Sequence, residues 1–287
     1  MERSVGIVVH RRSEEALEFA RQVIAWLFER HIAVRLDSEA AVKLGHPTLV
    51  CPPEGWKTVE FVITLGGDGT ILTAARMASP CGVPILGVHM GRFGFIAELH
   101  PDDLFPHLEE ILDGKVQIEE RLMVRAEVWR AGAPVHSGIG LNDALVKSAM
   151  AHLLQLKTSL GGEPFATYPA DGILVASPTG STAYALSSGG PLVTPTVQAL
   201  VIVPICPHTL SARPLVVPST ERIEIEIESD GGEVIFAVDG AERFMLQNGD
   251  RVVVRRADYP TRLIVLNHAT FYRKVRERYL YGERLNG

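Results

Sequence analysis

The sequence predicts an α/β domain with a mainly parallel sheet, followed by a β-rich, sandwich-like domain. Three observations carry that expectation. Over the first 120 or so residues, short apolar runs alternate with amphipathic helical patterns, the rhythm of a parallel sheet covered by helices. Beyond that point helical periodicity gives way to strands separated by turn signals. The 287 residues also exceed what one core organises well, because single cores stop growing beyond roughly 250 residues. A boundary near residue 120 follows.

Val5 to Val9 is a short apolar run suited to a buried strand. Ser13 then offers an N-cap with Glu14 and Glu15 in the first turn, and Leu17, Ala20, Val23, Ile24 and Leu27 follow at helical spacing. Ile32 to Leu36, Phe61 to Leu65 and Ile85 to Val88 are further strands, and Ile71 to Ala78 and Asp102 to Leu112 further helices. In the second half, Leu122 to Trp129 ends at Ala131-Gly132, and Leu153 to Leu160 ends at Gly161-Gly162. Arg222 to Ser229 alternates Ile223, Ile225 and Ile227 with Glu224, Glu226 and Glu228, so one face is buried and the acidic one is solvated. Asp239-Gly240, between Val234 to Val238 and Phe244 to Leu246, is a hairpin turn.

Composition narrows the function. Hydrophobic residues at 46% and charged residues at 22% are ordinary globular usage. A net charge of -6, with no basic stripe, argues against a nucleic-acid binder, which must displace counterions from phosphates. Cys51, Cys81 and Cys206 are odd in number and far apart, which suits neither a disulfide framework nor a zinc site and points to a reducing cytoplasm. The ten histidines lack metal-ligand spacing. No run of about 18 uncharged apolar residues and no signal-peptide pattern occurs, so neither a membrane span nor export is expected.

Chemistry concentrates in two places. Leu65-Gly66-Gly67-Asp68-Gly69-Thr70 lies between a strand and a helix, where glycines let the backbone approach a ligand and aim N–H groups at a phosphate. It lacks the Lys-Ser or Lys-Thr of a Walker loop and the spaced glycines of a dinucleotide fold. A carboxylate in such a cradle, expected to stand unpaired, can accept a proton from an attacking hydroxyl or hold magnesium; otherwise the segment is a plain turn. The second place is Asp171 to Tyr184, where a strand ends in Ser177-Pro178-Thr179-Gly180-Ser181-Thr182-Ala183-Tyr184 and a helix over Ala183 to Ser188 follows. These hydroxyls offer donors to a polar ligand, and Tyr184 offers a flat ring. Neither Gly-x-Ser-x-Gly nor Ser-x-x-Lys surrounds these serines, which argues against hydrolase chemistry.

Together these motifs resemble the NAD kinase family. The resemblance also includes Gly91-Arg92-Phe93-Gly94-Phe95, Leu141-Asn142-Asp143, Ser188-Gly189-Gly190-Pro191 and Pro207 to Pro214, and it spans about residues 60 to 240 in order. It implies transfer of a phosphoryl group from ATP or polyphosphate to the 2′-hydroxyl of the adenosine ribose of NAD. Asp68 would activate that hydroxyl, with Gly66, Gly67, Gly69 and Thr70 holding donor phosphates. Asp68, Gly69, Phe95, Asn142, Asp143, Asp171, Thr182, Ala183, Tyr184 and Ser187 would bind NAD, Phe95 closing on the pocket. Asp143 replaces a more usual Glu. Magnesium would ride on the donor, with Asp68 as its one candidate protein ligand and no dedicated metal site. A homo-oligomer is implied, as are domains of residues 1–120 and 121–265 with a tail, 266–287, returning to the first. Within the tail, Phe271 to Tyr279 is basic and aromatic, and the resemblance makes it structural. His208 and Arg213 are read as structural too. The alternatives are a lipid kinase of the diacylglycerol or sphingosine type sharing the glycine loop, and a non-catalytic NAD-binding module.

Overall fold

The computed structural model describes residues 3–91, 94–97, 99–150, 152–241, 243–266 and 271–279. The chain divides into one unit formed by residues 1–120 and 261–287 and a second formed by residues 121–260.

In the first unit, strands β1 (Ser4–Val9), β2 (Ala33–Leu36), β3 (Val62–Gly66) and β4 (Ile85–His89) alternate with helices α1 (Glu14–Glu29), α2 (Ser38–Leu44), α3 (Asp68–Ala78) and α4 (Pro101–Leu112); β5 (Gln117–Arg121) ends this stretch. The apolar runs became strands because they are buried on both faces: β1, β3 and β4 are buried along their whole lengths. Ser13 caps α1 as its sequence suggested, accepting from Ala16 N, and Asp37 caps α2 through Glu39 N and Ala40 N. Helix α3 begins at Asp68, three residues before its apolar pattern does at Ile71. A first turn made of Asp, Gly and Thr carries no hydrophobic periodicity, so periodicity alone places the start too late.

The second unit contains β6 (Val124–Arg130), β7 (Ala133–Gly140), β8 (Asp143–Ser148), β9 (Leu154–Leu160), β10 (Glu163–Ala170), β11 (Gly172–Ala176), the one-turn helix α5 (Tyr184–Ser187), β12 (Ala199–Ile205), β13 (Leu215–Pro218), β14 (Ile223–Glu228), β15 (Val234–Val238), β16 (Phe244–Leu246) and β17 (Arg251–Arg256). Two six-stranded sheets result, ordered β10-β9-β14-β17-β6-β7 and β13-β12-β11-β8-β15-β16. Their pairings are antiparallel. One hydrophobic core fills the space between them, drawing Val124, Ile225 and Val254 from the first sheet and Val146, Ile173 and Phe236 from the second. The acidic face of β14 is not merely solvated: Lys157 of β9 pairs with Glu226 and Glu228, and Arg222 and Arg251 pair with Glu224.

The chain then returns to the first unit as β18 (Thr261–Val265) and α6 (Phe271–Tyr279). Strand β18 completes the sheet β2-β1-β3-β4-β18-β5, whose pairings from β2 to β18 are parallel. The expected tail also includes residues 267–270 and 280–287, which lie outside the described residues.

Among the described residues Phe236 is the largest fully buried side chain, and it sits in the sandwich core. Phe236→Ala should therefore lower the unfolding free energy by about 3–5 kcal/mol in urea titrations. Glu226→Gln, on the solvated face, should stay within about 0.5 kcal/mol of the parent.

Candidate functional site

The glycine loop is built by close packing on one side and open space on the other. A Cβ at Gly66 would overlap the Thr70 side chain, so β3 can turn directly into α3 only with glycine there. Gly67 and Gly69 have nothing within 4 Å of where a Cβ would lie. They border a cavity of about 560 Å³ that Arg11, Arg12, Lys43 and Thr73 also line. No side chain caps α3 at Gly67; Thr70 N donates to Gly67 O at 2.9 Å, and the N–H groups of Asp68 and Gly69 are left to a ligand. The three cations escaped the sequence reading because they lie on the β1–α1 connection and on α2, remote in sequence from the glycines. Arg11 pairs with Glu39, and the Lys43 ammonium donates to the Arg11 carbonyl. The cavity thus joins two uncapped glycines, a helix N-terminus and a rim on which Arg11, Arg12 and Lys43 outnumber Glu39, an arrangement suited to a polyanion.

Asp68 is not unpaired. Its Oδ2 accepts from Phe95 N at 2.9 Å, and its Oδ1 accepts from Ile96 N at 3.1 Å and Ala97 N at 3.4 Å. The backbone comes this close because residue 94 is glycine; a Cβ there would overlap the carboxylate. The expectation of a bare acid missed these partners because they lie 27 to 29 residues away. Two lone-pair sites per oxygen still leave Oδ2 with room for another donor. Beside it, His89 ends β4 opposite Gly66. Burial, its largest influence, lowers the ring's pKa, which favours neutral imidazole.

Phe95 is engaged by α6. It is buried, its ring stacks on Tyr279 with centroids 5.6 Å apart, and the Arg278 guanidinium lies 5.0 Å from its centroid. Those α6 side chains occupy the ring that was expected to close on a ligand. Arg92 and Phe93 of the same motif lie outside the described residues.

In the second unit, strand pairing brings Asn142-Asp143 to the hydroxyl turn. Asp143 of β8 lies opposite Ala176 of β11, so Asn142 and Ser177 are neighbours, and Ser177 N donates to Asn142 O at 2.8 Å. Gly180 packs on Asn142 too closely for any Cβ. Asp171 is not brought there. It precedes β11 at the opposite end, roughly 20 Å from Ser177 at the usual strand rise. A strand joins the two motifs in sequence and therefore separates them in space.

The hydroxyl turn is largely self-satisfied, contrary to its reading as a set of free donors. Ser177 Oγ donates to Leu141 O at 2.5 Å, Ser181 Oγ to Pro178 O at 2.6 Å and Thr182 Oγ1 to Thr179 O at 3.0 Å. Thr179 Oγ1 is buried with no hydrogen-bond partner among the described residues. The expected helix over Ala183 to Ser188 is the single turn α5, with Ser187 exposed and Tyr184 packed against the small cluster of Leu174, Val201 and Val203.

Asp239 does more than turn the β15–β16 hairpin. Its carboxylate accepts from the main chain of Leu141, Asn142 and Asp143 at 2.8, 2.8 and 3.1 Å. Asp143 itself is buried. Burial first, and the neighbouring Asp239 carboxylate second, push the Asp143 carboxyl up to about 7. His208 donates its main-chain N–H to Pro169 O, and the Arg213 guanidinium bonds the nearby Leu210 and Ala212 carbonyls.

Residues 5–116 match the sequence model of the ATP-NAD kinase N-terminal domain, and residues 141–266 that of the ATP-NAD kinase C-terminal domain. The chain is 42% identical over 279 residues to an NAD kinase of Moorella thermoacetica, covering 97% of this chain and 89% of that protein. It is 40% identical over 280 residues to an NAD kinase of Heliobacterium modesticaldum, covering 97% and 99% respectively. Among solved structures, the fold matches a yeast NADH kinase crystallised with NADH, with a TM-score of 0.90 and 24% identity over 99% of this chain and 90% of that one.

The Asp143 carboxyl gives a signed pH dependence. Its folded pKa is raised from 3.8 to about 7, so the folded state holds a proton that the unfolded state releases near pH 4. This contribution to stability is complete below the unfolded pKa and is lost as pH rises through about 7. Asp143→Asn removes the dependence. Urea unfolding at about pH 5.5 and about pH 8.5 should show the variant gaining on the parent by on the order of 2 kcal/mol between the two conditions.

Proposed function

Because the chain belongs to the ATP-NAD kinase family, we propose that it transfers the terminal phosphoryl group of ATP to the 2′-hydroxyl of the adenosine ribose of NAD, giving NADP and ADP. The observation that carries this reading is the acid at the open glycine loop: Asp68 opens α3 beside a basic-rimmed cavity and keeps acceptor capacity on Oδ2. Gly66, Gly67, Gly69 and Thr70 hold donor phosphates through the N–H groups left open at the start of α3, with Arg11, Arg12 and Lys43 adding positive charge. The hydroxyl oxygen bonds to the terminal phosphorus as the bond to the bridging oxygen of ADP breaks, and the hydroxyl proton passes to Asp68. No covalent intermediate is needed, since this chemistry asks mainly for positioning and charge stabilisation.

Magnesium arriving with the donor would supply charge neutralisation at the phosphates, and Asp68 is the residue that would hold it. Among the described residues no cluster of three His, Cys, Asp or Glu side chains forms a cage, but the open acceptor position on Asp68 suits a cation that commonly takes only one or two protein carboxylates. Polyphosphate offers the same phosphate chain as ATP and fits the same cavity chemistry.

Asn142 and Asp143, beside Thr182, Ala183, Tyr184 and Ser187, take the adenosine end of NAD. Asp143 contributes mainly by shaping the segment, because its carboxyl is buried. Thr179, with its unpartnered hydroxyl, joins this group. Gly69 approaches NAD through its backbone. Phe95 acts from behind Asp68, and Asp171, at the other end of β11, meets a different part of the ligand. The three unpaired cysteines suit a reducing cytoplasm, and the family resemblance supports a homo-oligomer. No described helix is long and apolar enough to cross a membrane. The lipid-kinase reading falls to the family assignment, and the non-catalytic reading does not account for an acid held at the phosphate loop.

Conversion of NAD to NADP with ATP and magnesium tests the activity, with diacylglycerol as the contrasting acceptor. Asp68→Asn should lower kcat by at least about 10²-fold, the lower range for a positioned base. It should also lower Tm, because an amide NH2 can replace only one of two accepting oxygens that face three N–H groups. Turnover within about threefold of the parent, far below any general-base contribution, refutes the role. Tyr184→Ala should raise KM for NAD by more than KM for ATP; equal effects would remove Tyr184 from the NAD pocket.

A further inference from the structure

We propose that the C-terminal helix α6 positions the reacting acid, and that Lys274 is the positioning residue through which it acts. This rests on reading Asp68 as the group that receives the hydroxyl proton.

Helix α6, Phe271–Tyr279, is too polar to dock by an apolar face alone. Its buried residues are Lys274 and Val275. Lysine is almost never fully buried without partners, yet Lys274 is only 6% exposed. Its ammonium donates to the main-chain oxygen of Phe95 at 3.2 Å. The N–H of that same residue donates to Asp68 Oδ2 at 2.9 Å. Phe95 is therefore held at its carbonyl by Lys274, at its ring by Tyr279 and Arg278, and at its amide by the acid.

Residues 94–97 form neither helix nor strand. No ladder of hydrogen bonds fixes their backbone, so its position follows from what packs on it. Three successive amides from this segment orient the Asp68 carboxylate. Hydrogen bonds weaken steeply with distance and angle, and a misplacement of about 1 Å at a reacting group can cost about 10²-fold in rate. A shift of α6 is thereby felt at Asp68 through one residue. Lys274 need not meet either substrate for this to occur.

The test is steady-state kinetics on the full chain with NAD, ATP and magnesium, at a temperature where each variant is folded by circular dichroism. Lys274→Met keeps length and apolar bulk but removes the cation. It should lower kcat by at least about tenfold while moving both KM values by less than about twofold, the split expected when positioning at the reacting group is lost. Lys274→Arg, which restores a donor to the Phe95 carbonyl, should recover most of the rate. If the Met variant does not fold, Tyr279→Ala supplies the measurement, since Tyr279 is 38% exposed and its loss removes the stacking on Phe95 without opening a core. It should lower kcat by about three- to tenfold with KM values likewise held.

A folded Lys274→Met chain with the parent kcat, or one changed only in KM or only in Tm, overturns the proposal. So does a loss that Lys274→Arg leaves unrepaired. An active Asp68→Asn chain overturns the premise and this proposal together. An inactive Asp68→Asn chain beside a fully active Lys274→Met chain overturns the positioning role alone.

Discussion

The Asp68 carboxylate and the three amides of Phe95, Ile96 and Ala97 set the terms for the first unit's chemistry. A charged group placed at a helix start beside an open glycine loop must be held, or it would swing toward water or toward the nearest cation. Here the main chain holds it. The requirement passes outward: the segment can approach only because residue 94 is glycine, and Gly87 admits the Cα of Ala97 closer than any Cβ there would allow. The β3–β4 pairing that sets Gly66 opposite His89 then fixes the loop and the strand end against each other.

The second unit uses the same device for a different end. Asp239 binds three consecutive amides, those of Leu141, Asn142 and Asp143, just as Asp68 binds those of 95 to 97. In the first unit the acid is the group of interest and the amides are its support. In the second the acid is the support, and the segment it fixes carries Asn142. Burying Asp143 beside that anion has the electrostatic consequence of a carboxyl that titrates near neutrality. The hydroxyl turn extends this economy, with Ser177 and Ser181 spent on shaping the loop and Thr179 left over.

Much of the fold was legible in the sequence, because burial imposes periodicity. Fully buried strands such as β3 read as apolar runs, and β14 announced its two faces by alternation. The open glycine turn between β3 and α3 was legible because its geometry is local. What escaped was non-local. The partners of Asp68 lie on another segment, and the Arg11, Arg12 and Lys43 rim comes from two different elements. That Asp171 stands at the far end of β11 from Ser177 was not legible, because adjacency in a motif hides the length of a five-residue strand. The α6 residues that stack on the Phe95 ring were not legible beside its motif, because they are remote in sequence.

The sheet of the first unit takes β18 from beyond the whole of the second, and this bears on how the chain acquires its structure during synthesis. On a ribosome, residues 1–120 emerge with the strand between β4 and β5 still missing, leaving an open edge that invites wrong pairing. Residues 121–260 are contiguous and can fold as soon as they emerge. Their ends then lie side by side, since Val124 pairs with Arg256 and Ala257 N bonds Met123 O. Folding of the inserted unit thus closes the long loop, and β18 reaches its slot with that closure entropy already met by the sandwich. The order of assembly becomes middle first and ends last, and defects in the sandwich should surface as failures to complete a sheet to which it contributes no strand of its own core.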